Sequence, residues 1–398
     1  MRIGAAGKGE HLTYCTNIHA GETWDEIFER LGDNLPAVKS AVSPDAPLGV
    51  GLRLSAIAAE VLAEPARLDE FQAFLADGGY YVFTINGFPY GPFHGQRVKE
   101  QVYQPDWSHP ERLTYSDRMA DLLATILPDG MEGSVSTVPG TFKPLASAPG
   151  MVERITDQLL CHAAKLVDVE RSTGRTIALA LEPEPYCFLE TIEETVDYFQ
   201  QHLFAPDACR RLSSLTGLSS SAAEIALRRH LGVCYDVCHA AVEYEDPRGS
   251  IEALQAAGIG IPKLQLSAAL RIPEVTKETP ETLHGFDEPV YLHQAIERCP
   301  EGLRRHLDLP EALASLDNAI GHEWRVHFHV PIFLDELQHF STTQDFLREI
   351  LALHKVAPIS SHLEVETYTW DVLPERYRGV PVATAIAREL SWVRDQLS

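Results

Sequence analysis

Carboxylates and imidazoles stand at the ends of several aliphatic runs in this 398-residue chain, where they could bind a cation or move protons. Glu182 closes TIALALE and is followed by Pro183, Glu184 and Pro185, whose rings stop strand and helix alike and fix the carboxylate at an exit. A turn-capping glutamate is the plainer reading of that residue alone. Asp236 and His239 form a D-x-x-H pair in CYDVCHA, and both side-chain types are competent ligands for a divalent metal. A structural hydrogen bond would explain the pair equally well. Glu364 and Glu366 share one face of HLEVETY, and two such carboxylates repel unless a cation lies between them or one keeps its proton. His327 and His329 alternate in WRVHFHV, two imidazoles about 7 Å apart on one strand face, suited to a metal or to substrate hydroxyls. Arg325 on that face could instead pair with a carboxylate and leave the histidines structural. The loop TINGFPYGPFHGQRVKEQVYQPDW (84–107) is dense in Gly, Pro and aromatics, and offers donors from Asn86, His94, Arg97 and Lys99. Arg53, on the polar face of GVGLRLS, and His293, in VYLHQ, complete the candidates.

These groups need strands to hold them. Strand-like runs occur at 12–19, 49–55, 80–86, 132–138, 176–182, 232–238, 262–267, 324–330 and 362–368, with helix-like stretches between them such as 23–42, 151–174 and 345–356. Strands alternating with helices at this number and length predict a closed (β/α)8 barrel with a parallel sheet. Nine runs for eight places leave one outside the barrel. Period two sorts the faces: Ile177, Leu179 and Leu181 oppose Ala178, Ala180 and Glu182, and Leu264 and Leu266 oppose Lys263, Gln265 and Ser267. Asn17 and His19, Arg53 and Ser55, Thr84 and Asn86, and Ser134 and Ser136 likewise fall on non-aliphatic faces. Barrel lumens are ordinarily filled by bulky branched residues. A lumen this polar requires partners, because a buried unpaired polar group costs about 1–3 kcal/mol. Long segments at 204–230, after the fifth strand, and 271–294, after the seventh, are expected to be insertions near the barrel mouth.

Composition narrows the partners. Asp and Glu number 57 against 33 Lys and Arg, a formal charge of −24, and a field of that sign repels nucleic-acid phosphates. Nowhere does an apolar run approach the roughly 18 residues of a membrane span, and residues 1–14 lack the apolar core of a secretory signal. The seven cysteines are odd in number, several lie in aliphatic runs, and Cys234 and Cys238 do not form a CxxC pair. Reduced thiols in a cytoplasmic protein, without cysteine-held zinc, are therefore expected.

Taken in order, LEPEP, YDVCH, KLQLS and HLEVET resemble the xylose-isomerase-like barrels of sugar isomerases, epimerases and endonuclease-IV-type enzymes. That resemblance implies a single barrel domain over 1–398 that holds a divalent cation (Mg, Mn or Zn). Its ligands would be Glu182, Asp236 and Glu366, with His239 near the substrate. Gln265 stands where those barrels usually carry His, and its oxygen would serve as the further ligand for Mg or Mn. LTYCTNIHAGETW, GLRLSA, the 84–107 loop, YDVCHAAVE, VHFHVPIF and HLEVETYTWDVLP also resemble EboE-type metabolite traffic proteins, which belong to bacterial clusters for export of secondary-metabolite precursors. This second resemblance implies a small metabolite and the other proteins of such a cluster as partners.

Three functions follow for test. One is an isomerase- or epimerase-like enzyme in which Glu182 and Glu366 exchange a proton at carbon and His239 assists. Asn86, His94, His327, His329, Glu364 and Arg53 would bind its substrate. The second is a non-catalytic binding or trafficking scaffold that keeps the pocket. Phosphodiester cleavage on DNA is the third, and the acidic charge opposes it.

Overall fold

The computed structural model describes residues 1–3, 9–95 and 97–398. In chain order its strands are β1 (Arg2–Ile3), β2 (Glu10–Tyr14), β3 (Leu48–Arg53), β4 (Tyr80–Asn86), β5 (Gly133–Thr137), β6 (Ile177–Leu181), β7 (Leu231–Asp236) and β8 (Gly260–Leu266). After these come β9 (Ala269–Ile272), β10 (Ala295–Cys299), β11 (Gly302–His306), β12 (Glu323–His329), β13 (Glu336–Leu337), β14 (Phe340–Thr342) and β15 (His362–Val365). The first sheet runs β1-β2-β15-β8-β7-β6-β5-β4-β3, parallel throughout except for β1. A parallel bridge from Cys15, just after β2, to Gly51 in β3 brings β2–β8 and β15 into a nearly closed eight-stranded barrel.

The seam of that closure is built from side chains. The Gly51 amide donates to Thr13 Oγ1 at 2.9 Å, and the Arg53 amide donates to Thr16 Oγ1 at 2.9 Å. A Cβ on Gly51 would lie 2.1 Å from Glu364 Oε2 and 2.7 Å from the Tyr14 carbonyl, so close approach demands glycine there.

Helices cover the barrel where the sequence carries their signals. Trp24–Val42 starts on a capping box between Thr23 and Glu26 and buries Ile27, Leu31, Leu35 and Val38, one stripe at helical spacing. Met151–Thr173 ends on Gly174, whose φ of 70° is the left-handed cap that stops a helix. The segment between β6 and β7 folds into Ile192–Tyr198, Pro206–Thr216 and Ser220–His230.

Between β8 and β15 the chain leaves the barrel and builds a second sheet, antiparallel, in the order β11-β10-β12-β9-β14-β13. The run at 324–330, expected as one of nine barrel-like strands, is β12 of this sheet and so the one outside the barrel. Its alternation looked barrel-like because it too is covered on both faces: Trp324, Val326 and Phe328 are fully buried on one side and His327 and His329 are buried on the other. The sheet is pinned over the barrel mouth. Arg325 Nη1 donates to the Ala241 carbonyl at 2.6 Å, and Arg305 reaches Glu243 at 2.5 Å and Glu190 at 3.4 Å. Among the described residues no helix is long and apolar enough to cross a membrane.

Candidate metal centre and its pocket

Period-two alternation sends every other residue of each barrel strand into the lumen, and depth then decides its surroundings. At mid-depth Lys263 Nζ pairs with Glu364 Oε1 at 2.6 Å, both side chains wholly buried, and Lys263 also donates to Ser136 Oγ at 3.2 Å. Further down, Ser134 Oγ lies 2.8 Å from both Thr84 Oγ1 and His362 Nδ1. Here the chain supplies the counter-charge itself, although Glu364 Oε2 and Gln265 Nε2 keep no hydrogen-bond partner. Glu364 is therefore an interior ion-pair partner and not a substrate-binding group: it sits two residues below Glu366, and a lysine reaches it first.

Glu182, Asp236 and Glu366, each one step beyond or at the last residue of β6, β7 and β15, converge at the mouth. One carboxylate oxygen from each lies within 4.8 Å of the others. Glu366 Oε1 accepts from Asn17 Nδ2 at 2.7 Å and Asn86 Nδ2 at 2.9 Å, which fixes its rotamer. Asp236 Oδ1 accepts from the His239 amide at 3.0 Å and Ser267 Oγ at 2.8 Å, because Asp236 caps the helix Val237–Val242. The second oxygens of Glu182 and Asp236 are buried without a hydrogen-bond partner. Burial, reinforced by the Glu366 and Asp236 charges, pushes the Glu182 carboxyl well above the usual range. Glu366 rises well above it for the same reason, with Asp236 and Glu364 as its repelling neighbours. Burial also acts to raise Asp236, but the neighbouring imidazoles together with the hydrogen bonds from the His239 amide and Ser267 outweigh that and hold it below the usual range.

The imidazoles come from both sheets. His329 Nδ1 donates to the Glu366 carbonyl at 2.8 Å, so its Nε2 carries the lone pair, and that atom is buried without a partner. His329 groups with Asp236 and His239 within the same 4.8 Å limit. Burial drops its pKa to about 4, leaving it neutral at physiological pH. His239 Nδ1 faces the Pro183 carbonyl at 3.0 Å, and His327 Nδ1 faces Gln294 Oε1 at 2.8 Å. Gln294 Nε2 donates to the Pro185 carbonyl at 3.1 Å, which settles the amide orientation. Both rings thus hold their protons on Nδ1, and the two Nε2 atoms meet at 3.1 Å. Two lone pairs at that separation repel unless a proton or a cation lies between them. Burial, with His239 and His329 adding to it, keeps His327 well below the ordinary histidine range.

Above these groups lies a cavity of about 60 Å3, partly open to solvent. Asn17, Asn86, Glu182, Glu184, His239 and Glu366 line it on the barrel side, with His327 of β12 beside them; Phe88, Phe93, Val98, Val102, Tyr103, Tyr291, Leu292 and Tyr368 are among the residues lining it from the loops. Of the expected site residues, Glu182, Glu366, His239, Asn86 and His327 border this cavity, with Asp236 and His329 grouped beside them. Three do not. Arg53 is spent on the carbonyls of Gly21 (2.7 Å) and Gly91 (2.8 Å) and on Glu22 (3.1 Å), tying two loops together. His94 lines a neighbouring groove with Glu22, Glu26 and Asp371. Gln265 Oε1 accepts the Cys234 thiol at 3.0 Å, below the mouth; the residue at the mouth on that strand's exit is Ser267. Gln96, within the 84–107 loop, lies outside the described residues. Sequence reasoning did not single out Asn17, Glu184, Tyr103, Gln294 and Tyr368. Glu184 repeats the spacing of Glu182 and Asn17 lies on a polar strand face, so those two carried a signal; the others depend on loops folding back.

No protein-family model matches the chain, and no curated protein matches it. Among solved structures it is similar to a probable 3-DHS dehydratase, AsbF, involved in petrobactin synthesis from Bacillus anthracis, at 10% identity and a TM-score of 0.46 over 96% of this chain and 97% of that one. It is also similar to an IolI protein with a bound zinc atom (14%, 0.45, 98% of each chain). A xylose isomerase domain protein from Planctomyces limnophilus is a third (14%, 0.47, 91% of each). Likenesses this distant carry no argument about activity, which rests on the geometry above.

Proposed function

We propose that this protein is a divalent-metal-dependent isomerase- or epimerase-like enzyme acting on a small polar metabolite. On the resemblance of its sequence motifs to EboE-type proteins, we place it in a secondary-metabolite export cluster. The observation that carries the enzymatic reading is the convergence of Glu182, Asp236 and Glu366, with Asp236 also grouped with His239 and His329, where Glu182 Oε2, Asp236 Oδ2 and His329 Nε2 are each buried without a hydrogen-bond partner. Such atoms are costly unless a ligand satisfies them. The three carboxylates Glu182, Asp236 and Glu366 would hold a divalent cation, and His329, grouped with Asp236, is the neighbouring imidazole that would add a nitrogen ligand where Gln265 was expected to add an oxygen. The His329 Nδ1 bond to the Glu366 carbonyl is the orienting contact a ligating imidazole requires. When bound, the cation supplies Lewis-acid polarisation of substrate oxygens.

The remaining roles belong to the chain. Asn17 and Asn86 hold Glu366 Oε1, so Glu366 presents one fixed carboxylate to the pocket. Glu182 and Glu366 are the pair that would exchange a proton at carbon, one removing it and the other returning it to the opposite face. His239, anchored through Nδ1, turns Nε2 toward His327 at the pocket wall. Glu184, held by the Tyr103 hydroxyl at 2.7 Å, closes the barrel side.

Elemental analysis of chelator-free protein tests this reading. About one equivalent of a divalent metal is expected per chain, falling at least ten-fold in Glu366→Gln and His329→Ala and unaffected in Gln265→Ala. Metal retained in both of the first two variants would sink it.

A further inference from the structure

The two sides of the pocket differ in a way that selects its occupant. On the barrel side every lining residue is polar. On the loop side Tyr103, Tyr291 and Tyr368 carry hydroxyls and Lys99 an ammonium, but Phe88, Pro89, Phe93, Val98, Val102 and Leu292 offer no side-chain donor or acceptor. Phe93, Tyr291 and Tyr368 form a cluster with ring centroids 5.1–5.3 Å apart, a preformed wall. A sugar carries hydroxyls all round its ring. Those facing the apolar residues of that side would lose their water partners without replacement, at about ten-fold in affinity for each unpaired group.

Charge selects too. The lining carries three carboxylates, Glu182, Glu184 and Glu366, and one cationic side chain, Lys99. Lys99 Nζ is already paired with Asp308 at 2.6 Å, and the other Asp308 oxygen is held by the amides of His293 and Leu309 at 3.0 Å each. Arg53 is committed elsewhere. Neither a phosphate nor a carboxylate on the substrate finds a free cation among the lining residues.

We infer that the site takes an uncharged ligand with a flat apolar or aromatic body and a pair of neighbouring oxygens at one end, and discriminates against sugar phosphates. The oxygens face the strand ends and the body lies against Phe93 and Tyr291. This rests on the reading of the cavity as a metabolite site but makes no use of the metal.

Calorimetric titration of the full-length protein, metal-loaded and metal-stripped, with 1-phenylethane-1,2-diol, D-fructose and D-fructose 6-phosphate tests it. The aryl diol is expected to bind at least about ten-fold more tightly than fructose, and the phosphate more weakly than either. Tyr291→Leu and Phe93→Ala should each weaken the aryl diol several-fold while leaving fructose unchanged. An aryl diol no tighter than fructose, no binding of it at all, or a phosphate tighter than fructose overturns the inference. Metal content measured on the same sample keeps the two readings apart. A metal-free protein that prefers the aryl diol upholds this one alone, and a metal-replete protein without that preference upholds only the other.

Discussion

The lumen at mid-depth and the mouth above it are made of the same materials and behave in opposite ways. Lys263 and Glu364 are wholly buried, paired at 2.6 Å, and close off the barrel interior. Glu182, Asp236 and Glu366, one layer higher, gather three carboxylates with no lysine among them. Buried charge alone therefore does not mark a functional site. What distinguishes the mouth is that its charges are uncompensated by the chain itself, a state a protein keeps only when something else compensates them.

The comparison breaks most visibly at Lys263. Lys263→Met leaves Glu364 buried and unopposed and should cost about 3–5 kcal/mol in urea unfolding. Adding Glu364→Gln should restore most of the loss. If the single variant costs under about 1 kcal/mol, the interior pair is not the structural element described here.

Glu389 sharpens the same contrast from outside the site. It is buried with only neutral donors, Thr367 Oγ1 at 2.8 Å and the Ile332 amide at 3.2 Å, and burial raises its pKa to about 7. A carboxyl raised in the folded state binds a proton that the unfolded chain has already released. Its stabilising contribution is thus full below about pH 4.5 and is lost as pH rises toward 7. Glu389→Gln should therefore gain stability relative to the parent by roughly 1–3 kcal/mol at pH 8 compared with pH 4.5, without change in metal content. A pH-independent difference between the two proteins would contradict the assignment.

The smallest effect is expected at the mouth, with the opposite sign to that at Lys263. In excess chelator, Glu182→Gln removes one of three mutually repelling carboxyls and should raise the melting temperature, by an amount corresponding to about 1 kcal/mol. A fall comparable to the Lys263 variant would show that Glu182 is paired within the protein after all.

Much of this arrangement is legible in the sequence, for reasons that also set its limits. Alternation identifies the lumenal face of each strand, and TIALALE, CYDVC and HLEVE place Glu182, Asp236 and Glu366 on it correctly. Alternation does not give depth. Glu364 and Glu366 share a face, yet one meets Lys263 and the other meets the cavity. Gln265 lies opposite Asp236 in register but a layer below the mouth, so a position matched by motif is filled at the site by another residue. His329 arrives from a strand that pairs with Ala269, some sixty residues earlier, and no local pattern announces a contact set by how the intervening chain folds back.

The hydroxyl-built seam between β2 and β3 bears on how the pocket moves. Elsewhere around the barrel, neighbouring strands share several backbone partners in register; here one bridge and two threonine hydroxyls span the gap. Such a joint opens with fewer bonds broken than its counterparts, so slow amide exchange should fail first along Gly51 and Arg53. Asn17 follows Thr16 directly and holds Glu366. Breathing at this seam is thereby coupled to the one carboxylate that the neighbouring amides keep still, and the barrel's weakest joint lies next to the group that most needs rigidity.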